Sequence, residues 1–359
     1  MAENQNIESF TEKQSLVFNL LRWSSFCNEM LRSAEKSILR FIKTPYKGFY
    51  IDVGSSVGDS DKIWTVALNE TSPKTPLVLL HGLGAGCALW VLNYDDFARD
   101  RPVYAIDVLG FGRSSRPEFA QDAKMAEKQF VRSIEEWRKE VNIKKMILCG
   151  HSMGGFLGCA YALTYPDHIQ HLILADPWGF PEKPEDANTK YNVPFWVKAI
   201  AYAIQPLNPL WPLRAAGPWG QWVVEKSRPD IMRKFNAVVK DETAIPQYIH
   251  QCNVQNPTGE SAFHSMMAGF GWAKNPMIKR IHEIRDDVPI TLLYGSKSWV
   301  DSSAGDIIRK ARPNSFVNFH VINQSGHHIY ADRAEEFNKL VLQACREKEE
   351  QVEDETNEE

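Results

Sequence analysis

Apolar residues along this chain recur in two rhythms. Over residues 1–45 they step by three and four positions: Leu16, Leu20, Trp23, Cys27, Met30, Ala34, Ile38 and Phe41. That spacing predicts one face of a helix. Val17, Phe18, Leu21, Phe26, Leu31 and Leu39 widen the stripe, and Arg22, Arg32, Lys36 and Arg40 punctuate it. Such a face suits a phospholipid surface, and it suits packing on a neighbouring domain equally well. Beyond it come short continuous apolar runs that predict strands: Phe49–Val53, Ile63–Leu68, Pro76–Leu80, Val103–Ile106, Met146–Cys149, Leu172–Ala175, Pro289–Tyr294 and Phe316–Ile322. Between the fourth and fifth of these, Phe130, Ile134 and Trp137 mark one face of a helix over about residues 124–141. Apolar strands alternating with helices predict a mostly parallel sheet with helices on both faces.

The alternation stops between Pro177 and Ile284, a stretch rich in Trp and Pro that includes Trp196, Trp211, Trp219, Trp222 and Trp272. An insert this long between two strands of one sheet predicts a helical cap over 177–284, set into a domain spanning 46–345. The tail 346–359 holds eight acids against two bases, which predicts a solvated, disordered end.

Composition narrows the function classes. A net charge of −4 from 41 basic and 45 acidic side chains argues against a nucleic-acid partner. The six cysteines are scattered, with no C-x-x-C pair, so neither a zinc site nor a disulfide framework is expected, and a reducing, cytoplasmic setting is. The N-terminus lacks a basic-then-apolar signal pattern, and no apolar run approaches the roughly 20 residues that span a bilayer.

The chemistry concentrates at strand ends. Gly150-His151-Ser152-Met153-Gly154 matches G-x-S-x-G between a strand and a helix. There the serine sits on a strained turn that exposes its hydroxyl, and flanking side chains would collide. This context predicts Ser152 as a nucleophile on the α/β-hydrolase fold. His81-Gly82-Leu83-Gly84 follows an earlier strand, so the backbone amides of Leu83 and Met153 are the expected oxyanion donors. The His81 side chain and the run Asp107–Ser114 read as loop-building. Chain order in this fold is serine, acid, histidine. His327, in Gly326-His327-His328 after the last strand, is the expected base, with His328 pointing elsewhere. For the acid, Asp301 is preferred and Asp176 competes. The position three residues after Gly295, where many relatives of this fold carry the acid, is Ser298. Asp301 lies three residues further on. His327 and Asp332 also spell H-x4-D, a pattern associated with glycerolipid acyltransferases. The plainer expectation for Asp332 is an N-cap of the following helix.

Taken together, these motifs resemble one α/β-hydrolase subfamily. It contains the lipase that deacylates N-acyl phosphatidylethanolamine and the lipid-droplet co-activator of adipose triglyceride lipase. The resemblance rests on Ile63–Val66, Asp107–Pro117, Gly150–Leu157, Asp176–Pro181, Ala216–Trp219, Phe270–Trp272 and His327–Asp332, and runs from about residue 20 to 345. The co-activator branch carries asparagine where this chain has Ser152, so the chain resembles the enzyme branch. The resemblance also maps the acid onto Asp301. It implies a serine hydrolase acting on acyl esters of (lyso)phospholipids or related glycerolipids, with no cofactor and no metal. It implies a lipid substrate and peripheral contact with membranes or lipid droplets, with mitochondrial association compatible. Two alternatives accompany it. One is a droplet-bound regulator of triglyceride lipolysis, partnered by another lipase or a droplet-coat protein. The other is an acyltransferase acting on lysophosphatidic acid.

Overall fold

The computed structural model describes residues 28–184, 208–269 and 271–357, with side chains described as far as Glu347. Eight strands form one sheet: β1 (Tyr46–Asp52), β2 (Lys62–Leu68), β3 (Leu77–Leu80), β4 (Val103–Ile106), β5 (Met146–His151), β6 (Ile169–Ala175), β7 (Ile290–Gly295) and β8 (Val317–Ile322). Their spatial order is β1-β2-β4-β3-β5-β6-β7-β8. The pairings of β1 with β2 and of β2 with β4 are antiparallel, and all the others are parallel. The strands lie within a few residues of the runs expected from the sequence.

The central strands are apolar throughout because both faces are covered. In β5, Met146 and Leu148 face one layer of the core, while Ile147 and Cys149 face the other. In β6, Leu172 and Leu174 join the first layer, and Ile173 and Ala175 the second. A helix over 28–39, α1, supplies the second layer with Leu31, Ala34 and Ile38. This part of the amphipathic stripe is therefore spent on the domain, while residues 1–27 lie outside the described residues. After the short α2 (Tyr94–Phe97), α3 (Ala123–Glu140) covers the first face with Phe130, Ile134 and Trp137. The Asp122 carboxylate caps α3, accepting from the amides of Lys124 at 3.1 Å and Met125 at 2.9 Å. The α4 helix (Met153–Thr164) follows β5 directly.

The described part of 177–284 is helical: α5 (Trp211–Ala215), α6 (Gly220–Ser227), α7 (Pro229–Phe235), α8 (Ala244–Asn253) and α9 (Thr258–Met266). Trp196 and Phe270 fall outside the described residues. Polar ties hold this cap to the sheet domain. Arg116 donates to the carbonyls of Cys252 and Asn256, and Arg280 pairs with Glu127 at 2.6 Å. After β7 come α10 (Ser303–Ala311), α11 (Ile329–Asp332) and α12 (Ala334–Asn357). The tail expected to be disordered instead prolongs α12 to Asn357. Its Glu, Gln and Lys residues are good helix formers, which the charge count alone does not register.

Candidate active site

The parallel strands β5, β6 and β7 all point their C-terminal ends at one crevice, the usual site location in such sheets. Ser152 stands at the end of β5 with φ 53° and ψ −115°, a positive-φ backbone that L-residues rarely adopt. Backbone bonds hold it there. Its amide donates to the Ala175 carbonyl at 3.0 Å, and its own carbonyl accepts from the amides of Phe156 and Trp178, each at 3.1 Å. The neighbouring glycines are sterically required. A Cβ on Gly150 would fall on the Gly154 carbonyl, and one on Gly154 on the Leu80 carbonyl.

His327, in the loop between β8 and α11, places Nε2 2.9 Å from Ser152 Oγ. Its Nδ1 lies 2.6 Å from Asp176 Oδ2. Asp176 is fully buried at the end of β6, also in a positive-φ conformation with φ 47°. The Gly295 amide donates to its Oδ1 at 3.0 Å, and Ser298 Oγ donates to Oδ2. With Nδ1 protonated toward this carboxylate, Nε2 is left as an acceptor for the serine hydroxyl.

The preference for Asp301 is thus not met by the geometry. Asp301 is exposed, and its two carboxylate oxygens accept from the Ser303 amide at 2.9 Å and the Ser303 hydroxyl at 2.7 Å. The loop after β7 brings Ser298 to the histidine side of the strand end and leaves Asp301 beyond it as a turn residue. Ser298 takes the place where relatives of this fold often carry the acid, and there it buttresses the acid borne by the neighbouring strand. The expected N-cap role of Asp332 is also replaced. Its Oδ2 accepts from the Gly326 amide at 2.9 Å, and Oδ1 pairs with Lys234 of α7 at 3.0 Å.

Several supports had no sequence signal beyond adjacency. His151 Nε2–H donates to the His327 carbonyl at 2.8 Å. Burial, then the neighbouring His327, hold its pKa well below the ordinary histidine value, so the ring is neutral. His328, expected to point elsewhere than at Ser152, lines the cavity beside the site. Burial, then His151, lower its pKa in the same sense. His81 is buried in the loop after β3. It accepts from the Val108 amide at Nε2 and bonds the Gly82 carbonyl through Nδ1, which fixes the loop carrying Leu83. Met153 opens α4, where helix amides have no intrahelical partner. Asp107 builds its loop by accepting from the amides of Cys87 and Arg113.

A cavity of about 380 Å³ adjoins the site. Leu83 and His328 line its inner end, and Leu210, Leu213, Val223 and Val224 its cap side. A larger cleft of about 520 Å³ beside α12 is walled by charged residues such as Asp96, Arg99 and Lys339, and is ill suited to an apolar group. Glu35, Cys87 and Asp107 cluster closely enough to suggest a metal site. The oxygens of both carboxylates are already engaged, however. Glu35 accepts from Arg113 at 2.6 Å and from Trp64 Nε1 at 3.0 Å, and the guanidinium supplies the positive charge.

The profile of the alpha/beta hydrolase fold matches residues 75–334. The chain belongs to the alpha/beta hydrolase family. Within the family, it is 46% identical over 316 residues to mouse "1-acylglycerol-3-phosphate O-acyltransferase ABHD5", covering 88% of this chain and 89% of the relative. It is 47% identical over 316 residues to human "(Lyso)-N-acylphosphatidylethanolamine lipase", covering 88% and 91%. Among solved structures, carboxylesterase CesB of Bacillus subtilis superposes with a TM-score of 0.63 at 15% identity, over 88% of this chain and 97% of that one. Naproxen esterase of the same organism gives 0.60 at 19% identity, over 87% and 96%. At such identities these two structures speak for the fold alone.

Proposed function

We propose that this chain is a serine carboxylic-ester hydrolase that removes acyl chains from (lyso)phospholipids or related glycerolipids. The observation that carries the reading is the hydrogen-bonded relay Ser152–His327–Asp176 on a positive-φ strand-to-helix turn. In this reading His327 Nε2 takes the Ser152 proton as Oγ attacks the acyl carbonyl. Asp176 keeps Nδ1 protonated and stabilises the imidazolium. The amides of Leu83 and Met153 receive the oxyanion, an effect worth a few kcal/mol per donor. His327 then protonates the leaving alcohol, and water, activated by the same nitrogen, cleaves the acyl-enzyme.

The lipid class is supported by the names of the relatives and by the apolar cavity beside Leu83. A free-standing acyltransferase role for the H-x4-D pair gains little support, because Asp332 is engaged by Gly326 and Lys234. An alcohol in place of water would accept the acyl group from the same acyl-enzyme, with His327 taking the alcohol's proton. No helix among the described residues is long and apolar enough to cross a membrane; in this reading the chain meets its lipid from the surface of a membrane or droplet.

The test is fluorophosphonate labelling together with hydrolysis of a lipid panel: N-acyl phosphatidylethanolamine, its lyso form, lysophospholipids and triacylglycerol. Labelling and hydrolysis should both vanish in Ser152→Ala. Labelling that persists in this variant would remove Ser152 as nucleophile. Product formed only when acyl-CoA and lysophosphatidic acid are supplied would turn the reading to transfer.

A further inference from the structure

Three tryptophans of the cap stand outside its core. Trp219 is 73% exposed, Trp222 56% and Trp211 38%. Soluble surfaces rarely group large apolar side chains in this way without a partner. All three lie on the short run that forms α5, the turn at Gly217–Trp219 and α6. From Asn208 to Val224 this run contains no acidic residue. Its one charged side chain, Arg214, turns inward to Glu260 at 2.6 Å and to the Asn253 carbonyl. Beyond it, Lys226 and Arg233 are exposed. The same two helices line the cavity with Pro212, Leu213, Val223 and Val224.

We propose that this outer face of the cap, Trp211, Trp219 and Trp222 with Lys226 and Arg233 beside them, docks on a phospholipid surface. Tryptophan joins an apolar body to one polar N–H, the combination that settles at the boundary between headgroups and acyl chains. The tryptophan run itself carries no carboxylate, and the acids that follow it are engaged, Glu225 by Gln221 and Asp230 by Arg228 and Lys234, so the exposed Lys226 and Arg233 are left to meet lipid phosphate. Because α5 and α6 carry the tryptophans outward and the cavity lining inward, a docked cap holds the cavity wall against the layer in which an acyl chain resides. The inference rests on the lipid-hydrolase reading only for its purpose, since docking itself requires no catalysis.

The experiment uses the full chain carrying Ser152→Ala, floated with vesicles of phosphatidylcholine alone or mixed with phosphatidylserine. The parent should float. Trp219→Ala/Trp222→Ala should reduce binding to both kinds of vesicle by about tenfold or more. Lys226→Ala/Arg233→Ala should remove only the gain due to phosphatidylserine. Restoring Ser152 to the tryptophan variant should leave turnover of a soluble short-chain ester within about twofold, while raising KM for vesicle-borne substrate by about tenfold. Thermal melting verifies that each variant is folded. A tryptophan variant that floats like the parent, or a parent that does not float, overturns the proposal. So does a tryptophan variant that only converts a dimer to a monomer, since the occupant would then be a second copy of this chain. If the parent floats but no form of the enzyme cleaves an ester, docking stands and the hydrolase reading falls.

Discussion

Replacing Asp176 by asparagine separates the two candidate acids by a mechanism visible in the hydrogen bonds. The Gly295 amide donates to Oδ1 of Asp176, so asparagine would keep its carbonyl oxygen there. Its NH2 would then occupy the Oδ2 position, 2.6 Å from His327 Nδ1. Ser298 Oγ can turn to accept from that NH2, so nothing favours the opposite flip. His327 must then accept at Nδ1 and carry its proton on Nε2, facing Ser152. A protonated Nε2 cannot take the serine proton. The equivalent tautomer error in other serine triads lowers kcat by on the order of 10⁴-fold, or roughly 5.5 kcal/mol of barrier. Asp301→Asn instead loosens an exposed turn at Ser303, at a cost of about 1 kcal/mol or less in stability. Its turnover should stay within about threefold of the parent. Single-turnover acylation with a soluble chromogenic ester, read beside fluorophosphonate labelling rates, measures both variants. Near-normal acylation in Asp176→Asn combined with a collapse in Asp301→Asn would refute the assignment.

Two further outcomes are expected. Asp332→Ala frees the Gly326 amide and leaves Lys234 with Asp230 alone, so kcat should fall about ten- to a hundredfold with little change in KM. Asp332→Asn, which still offers Gly326 an acceptor, should recover most of that loss, and an unchanged labelling rate in Asp332→Ala would exclude this positioning role. Glu35 provides a pH test, because burial, with Asp107 nearby, pushes its carboxyl up to about 7 against the pull of Arg113. The folded state then binds this proton more tightly than the unfolded chain does. Stability from this group is fully present below about pH 4.5 and declines as pH rises through about 7, by on the order of 3 kcal/mol. Urea midpoints should therefore fall less steeply across that window in Glu35→Gln, and parallel slopes for parent and variant would contradict the assignment.

The sheet was readable in the sequence because its central strands are buried on both faces and appear as unbroken apolar runs. The serine was readable because a positive-φ turn between strand and helix demands the glycines around it. The acid was not, and the reason is geometric. Asp176 and the loop bearing Asp301 follow adjacent parallel strands that end at one level, so chain order admits either. The choice depends on where the loop after Gly295 passes, and no periodicity encodes that path. The faint clue was Ser298 standing where an acid would commonly be. Trp211, Trp219 and Trp222 show the limit of composition. They counted as apolar material, but their outward direction depends on how short helices pack.

The turn at Ser152 has a consequence for inheritance. Its shape is maintained by main-chain bonds to Ala175, Phe156 and Trp178, while the side-chain oxygen bonds His327. Chemistry and scaffold are therefore separable at this position. The positive φ of 53° burdens any L-residue placed here, so the turn does not require serine in particular. A descendant gene could exchange serine for asparagine, lose its nucleophile in one step and keep the turn, the sheet and the cap. A hydrolase built on this turn could therefore become a binding protein without first having to refold.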